Sequence, residues 1–185
     1  MPKDEHDEAL RRGLIRYCPV CDGFEVTDKR VGVVGRGANA FNEAVFLRSY
    51  TPEVKLFSPG EHDLEPHQQA RSRELGIHFQ NGPLEFEVEQ EAILVRAGTA
   101  VHRFDSLYPA LGSDVRSELA SCVGATLSDE GCIHVDDHQR TNIPGLYAAG
   151  DVVIGLDQIS HAMGQAGIAA TTIRIDLCER SPLVR

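Results

Sequence analysis

Cys18 and Cys21 stand two residues apart in the stretch RYCPVCDGFE and are followed at once by Asp22 and Gly23. That spacing, on a turn entering a helix, brings two sulfurs within disulfide reach. A helix N-terminus can also lower a thiol pKa below its free value of about 8.5. The same pair could supply two of four zinc ligands, or it could be two inert buried thiols. Structural zinc needs a second pair. Cys122 and Cys132 do not form a C-x-x-C, and His134 and His138 lie far downstream on an expected strand and loop. The spacing therefore favours redox chemistry over zinc, with inert thiols as the third reading.

Two further motifs could hold a ligand. The first is Gly35-Arg36-Gly37-Ala38-Asn39-Ala40, a G-x-G-x-x-A after an apolar run and before an amphipathic stretch. In such a turn Gly35 permits the tight bend and Gly37 lets a pyrophosphate approach the backbone. The small Ala40 lets helix and strand pack closely. The alternative is a glycine-rich turn that binds nothing. An acid at the end of the following strand would mark a ribose 2′-hydroxyl, but that position reads Phe57-Ser58-Pro59-Gly60, with Glu61 and Asp63 beyond it as turn acids. The second is TNIPGLYAAGDV, residues 141–152. Its small residues would let a ligand press on the backbone, and Asp151 could accept from ligand hydroxyls or simply cap a helix.

The elements that must position these groups follow from periodicity. Residues 5–13 read as a short helix ended by the cysteine stretch. VGVV reads as a buried parallel strand, and the segment carrying Ala40, Phe41, Ala44, Val45 and Leu47 as an amphipathic helix. EVKLF (53–57) is a second strand, residues 66–75 a helix opened by Pro66, and GIHFQ a third strand. This β-α-β-α-β order predicts an α/β fold with a doubly wound, Rossmann-like parallel sheet. LEFEVE, AILVRA and AVHRFDSLY predict an antiparallel meander lying on it. After PALGSD come an expected helix (115–122), a strand CIHV, a buried strand LYAAG and a long helix from about Gln158 to Cys178. The expected domains are 14–110 for nucleotide binding, with 1–13 and 111–185 forming part of a second domain.

Composition narrows the partners. Among 185 residues, 28 acidic side chains against 18 basic ones leave a net charge of −10, which argues against nucleic acid or an anionic membrane as partner. RRGLIR (11–16) is the one basic cluster and reads as a solvated helix end. No secretory leader or membrane span is legible, and five cysteines, an odd number, fit a reducing cytoplasm.

Taken together and in this order, the three motifs resemble the low-molecular-weight thioredoxin reductase family of flavoprotein disulfide reductases. CPVCDG matches its redox site, VGVVGRGANAFNEAVFL its pyridine-nucleotide turn and helix, and TNIPGLYAAGDV its flavin segment. The resemblance runs from about Leu14 into the last helix. It implies electron flow from NAD(P)H through FAD to the cysteine pair, and then to a thioredoxin-like or other small disulfide partner. Under it Cys18 is the thiol that attacks the partner, Cys21 faces the flavin, and Asp22 is the neighbouring acid–base group. Gly150, Asp151 and Val152 would meet the FAD ribityl and pyrophosphate, and Gln158 and Ile159 the flavin ring. Gly35, Gly37, Asn39 and Ala40 would meet the nicotinamide nucleotide. Ser58-Pro59-Gly60 stands where the family carries His-Arg-Arg for a 2′-phosphate, which leaves NADH against NADPH open. Only 17 residues precede Cys18, where the family has the first part of its FAD domain, so residues 111–185 are expected to be the C-terminal portion of that domain. The rival expectation is a non-catalytic nucleotide-binding module that self-associates as a homo-oligomer through apolar surface left by the incomplete domain.

Overall fold

The charged N-terminal segment forms α1 (Lys3–Arg11), which turns Ala9 inward and leaves most of its other side chains at least partly exposed. This computed structural model describes residues 1–60 and 64–181, so Glu61 and Asp63 lie outside the described residues. Two units divide the chain, Met1–Gly112 and Ser113–Arg185.

In the first unit, Pro19 opens a single helical turn, α2 (Pro19–Asp22), which runs into a 3₁₀ turn, Gly23–Val26. The apolar run then forms β1 (Val31–Gly35), buried at all five positions, as a strand covered on both faces must be. There follow α3 (Gly37–Leu47), β2 (Val54–Ser58), α4 (Pro66–Glu74) and β3 (His78–Asn81). The meander is β4 (Leu84–Val88), β5 (Ile93–Ala97) and β6 (Ala100–Phe104), after which β7 (Ser106–Ala110) returns to the main sheet.

The main sheet is fully parallel in the order β3-β2-β1-β7, and the meander is a separate antiparallel sheet, β4-β5-β6. The AVHRFDSLY segment, expected as one meander element, therefore divides at Asp105. Its carboxylate accepts from the Arg30 amide at 2.8 Å, anchoring the chain beside the start of β1 as it changes sheet. One face of β1 sends Val31 and Val33 against Ala40, Phe41, Ala44 and Leu47 of α3. The other sends Val34, with Phe57 and Leu107, against Ile93, Val95 and Phe104 of the meander and Ala9 of α1. Within the first unit Ala9 of α1 joins Leu14 and Ile15 in this second core.

The second unit holds α5 (Glu118–Cys122) and α6 (Ile159–Arg180). Neither CIHV nor LYAAG forms a strand. Ile133 makes isolated bridges to Leu127 and Val153, Tyr147 makes one to Arg140, and residues 146–150 are half-exposed. A strand exists only where a neighbour takes up its ladder of N–H and C=O groups, and among the described residues these segments make isolated bridges instead. Side chains fasten the loops in place of a sheet. Asn142 accepts from the Thr126 amide at 2.8 Å and donates to the Gly124 carbonyl at 2.9 Å. Arg140 grips Asp176 of α6 through two bonds of 2.9 and 2.7 Å, and the Tyr147 hydroxyl donates to the same carboxylate at 2.6 Å.

Candidate active site

Cys18 is the N-cap of α2, and Pro19, fixed at a helical φ, occupies the first helical position. The turn brings the Cα atoms of Cys18 and Cys21 to 5.2 Å, and the two sulfurs are bonded as a disulfide. The Cys21 amide donates to Cys18 Sγ at 3.2 Å. Cys21 is exposed and Cys18 half-buried, with Tyr17, Val20 and Phe24 exposed around them.

Asp22 has two partners that sequence spacing did not identify. Tyr108, fully buried on β7, donates its hydroxyl to Asp22 Oδ1 at 2.8 Å. Arg16 donates to Asp22 Oδ2 at 3.0 Å and pairs with Glu25 at 2.8 Å. Burial, and then the hydrogen bond to Asp22, push the Tyr108 phenol far above its usual range, so it serves as a donor at any ordinary pH. For Arg16, burial opposes the charge but the bonds to Glu25 and Asp22 outweigh it and raise its pKa. Arg16, expected as part of a solvated helix end, is thus tied into this cluster, whereas Arg11 and Arg12 remain exposed. No spacing rule could reveal Tyr108. It reaches Asp22 only because β7 pairs in parallel with β1, setting Val33 opposite Tyr108.

The glycine turn lies at the other end of α3. A methyl added at Gly35 would stand 2.1 Å from the Ala110 carbonyl oxygen and 2.8 Å from Ala40 Cβ. Gly37 has φ +58°, and Ala40 is buried while Asn39 is exposed. Arg36, Asn39, Pro59 and Leu111 line a cleft of about 280 Å³, where Arg36 donates to the Pro59 carbonyl at 3.1 Å. At the opposite end of the helix, a methyl on Gly23 would meet the Tyr50 ring at 3.0 Å. An 11-residue helix spans about 16 Å. The disulfide turn and the nucleotide-type turn are therefore held apart within the first unit.

Of the remaining sequence candidates, Gly150 has φ +83° and its amide donates to the buried Gln165 Oε1 at 2.8 Å. The Val152 carbonyl accepts from the Ile133 amide at 2.8 Å, and Asp151 is exposed. Gln158, not Asp151, is the N-cap of α6, and Ile159 is 83% exposed. These five residues belong to the second unit, so the structure gathers the candidates into groups: Cys18, Cys21 and Asp22; the Gly35–Ala40 turn; and the Gly150 loop with the start of α6.

Residues 4–166 match the pyridine nucleotide-disulphide oxidoreductase family. The chain belongs to that family. It is 31% identical to the thioredoxin reductase of Listeria innocua over 88% of this chain and 54% of that protein. It is 32% identical to the thioredoxin reductase of Mycolicibacterium smegmatis over 89% of this chain and 54% of that one. The fold is similar to the crystal structure of thioredoxin reductase from Streptococcus pyogenes, with a TM-score of 0.77 at 26% identity, covering 89% of this chain and 57% of that one. This family member thus spans about half the length of the curated relatives it matches. No described helix is long and apolar enough to cross a membrane.

Proposed function

We propose that this chain carries the disulfide-exchange centre and the pyridine-nucleotide turn of a thioredoxin-reductase-like oxidoreductase of the cytoplasm. The observation that carries the reading is the Cys18–Cys21 disulfide on a helical turn, with Asp22 beside it held by Tyr108 and Arg16. Reduction of the disulfide takes two electrons and two protons and leaves two thiols. Cys18, as the thiolate, then attacks a sulfur of the partner's disulfide and forms a mixed disulfide with release of a partner thiolate. Cys21 attacks Cys18 in that intermediate, releasing the reduced partner and restoring the Cys18–Cys21 bond. Asp22, next to Cys21 in sequence, would serve as the acid–base group for these sulfurs. The partner is a small disulfide protein of the thioredoxin kind.

The residues at the β1–α3 turn fit a dinucleotide. The glycine at 35 leaves room only for backbone packing, and Ala40 closes the helix onto the strand. Gly35, Gly37, Asn39 and Ala40 would hold NAD(P)H. Gly150, Asp151, Val152, Gln158 and Ile159 would hold FAD, with the exposed Asp151 carboxylate toward flavin hydroxyls and the exposed Ile159 toward its ring. When bound, the flavin supplies a two-electron relay between nicotinamide and disulfide. The separation of the two turns along α3 supports the need for such a relay.

A redox titration of the purified chain with thiol counting tests the reading. Two thiols should appear together on mild reduction and disappear together on reoxidation. A pair that stays reduced through glutathione-buffered oxidation would sink it. A visible spectrum after incubation with FAD tests the flavin assignment separately, and stoichiometric flavin bands are expected. A second reading, self-association through α6, is favoured by Ile159, Met163 and Leu177, exposed at 83%, 71% and 48%. Sedimentation should then show a dimer or larger species, and a monomer at all concentrations ends that reading.

A further inference from the structure

Away from both turns, the N-terminal ends of β2 and β3 and the facing strand β6 enclose a cleft of about 430 Å³, lined in part by Arg30, Lys55, His78, His102 and Arg103. Two of these cations already have carboxylate partners: Arg30 pairs with Asp105 at 3.2 Å and Arg103 with Glu89 at 3.3 Å. Lys55 does not. Its ammonium sits 2.8 Å from Gln80 Oε1 and 3.0 Å from His102 Nε2, and 5.2 Å above the Phe57 ring. Gln80 is oriented by donating its amide to the Ala97 carbonyl at 3.2 Å, which turns its oxygen toward Lys55 and His102. Among the described residues, then, the half-buried Lys55 charge is met only by neutral groups. A charge withdrawn from water without a counter-ion is unfavourable, and an anion arriving in the cleft would relieve that cost. Glu53 is the lining carboxylate and is itself exposed.

We propose that this cleft binds a small organic phosphate, with Lys55 and a protonated His102 as the paired donors to the dianionic phosphoryl group. Two adjacent cationic positions suit a dianion better than a single carboxylate. Val101, Phe104, Pro52 and Val54 supply an apolar wall for the carbon skeleton. The site stands at the N-terminal edge of the parallel strands, whereas cofactors of such sheets sit beyond the carboxyl ends. It is therefore distinct from the Gly35 turn. Burial and the Lys55 charge both hold the His102 pKa below its ordinary value when the cleft is empty, so ligand binding should take up a proton there.

The test follows the ring signals of His102 by heteronuclear NMR on the full chain, with inorganic phosphate and then phenyl phosphate added at constant ionic strength made up with chloride. A saturable His102 shift is expected, with an upward move of its titration midpoint and about tenfold tighter binding of phenyl phosphate. Lys55→Met should abolish saturation while the Gly35 and Gly37 amides keep their wild-type response. His102→Gln, read through the His78 ring, replaces it if Lys55→Met does not fold. A His102 shift that grows without saturating, or saturation unchanged in either variant, overturns the site. Phenyl phosphate binding no tighter than the inorganic ion overturns the assignment of an organic ligand.

Discussion

Tyr108 donates a hydrogen bond of 2.8 Å to Asp22 across 86 positions of sequence, joining the last strand of the parallel sheet to the residue that follows the redox pair. Tyr108 is fully buried and Asp22 only partly so. Tyr108→Phe keeps the packing and removes the donor. It should cost about 1–3 kcal/mol, because a partly buried carboxylate loses a partner. Urea denaturation of Tyr108→Phe, Asp22→Asn and the double variant checks this. A coupling energy near zero would mean that the bond is not formed in solution.

The two cysteines should behave differently when separated. Cys21→Ser leaves Cys18 as the attacking thiolate with no resolving partner, so a mixed disulfide with a thioredoxin-type protein should accumulate. Cys18→Ser should trap far less. Mass spectrometry of the non-reduced products distinguishes them. Greater trapping by Cys18→Ser would reverse the assigned roles and would agree with the greater exposure of Cys21.

Glu43 on α3 should give the protein a pH-dependent stability. Burial raises its carboxyl pKa to about 7, and its Oε2 is buried without a hydrogen-bond partner. Between the ordinary value of 4.5 and about 7, the folded state holds a proton that the unfolded state has released. The stabilisation is thus complete below 4.5 and is lost as pH rises through 7. The loss should be on the order of 1–2 kcal/mol after allowance for partial exposure. Glu43→Gln should remove this slope and be the more stable form at pH near 8. Urea midpoints measured across that range give the answer, and parallel curves for the two proteins would refute it.

The glycine turn makes a ranked prediction. At Gly35→Ala the new methyl collides with backbone that cannot move without disturbing the β1–β7 ladder. At Gly37→Ala there is open space, and only the left-handed φ of +58° opposes the substitution. Gly37→Ala should cost about 1–2 kcal/mol and Gly35→Ala clearly more. Thermal unfolding of the two variants checks the order.

Much of the fold was legible because its signals are local. A short apolar run before G-x-G-x-x-A and helical spacing after it specify β1 and α3, and the period-two pattern of LEFEVE specifies a half-exposed strand. The failures have one cause. CIHV and LYAAG have strand-like composition, but pairing depends on what lies alongside, and composition does not report that. The split of AVHRFDSLY at Asp105 likewise depends on where Arg30 waits to receive the chain.

The residues alone determined the chemistry available here: two sulfurs at disulfide spacing, a turn whose glycines admit backbone approach, and a parallel α/β order. Tertiary structure alone decided who stands beside them. Arg16 and Tyr108 reach Asp22, and Lys55 meets His102, because strands distant in sequence pair in one register and bring their side chains to one face. Spacing rules act within an element. Contacts between elements are set by sheet order and packing, which no short stretch of sequence encodes.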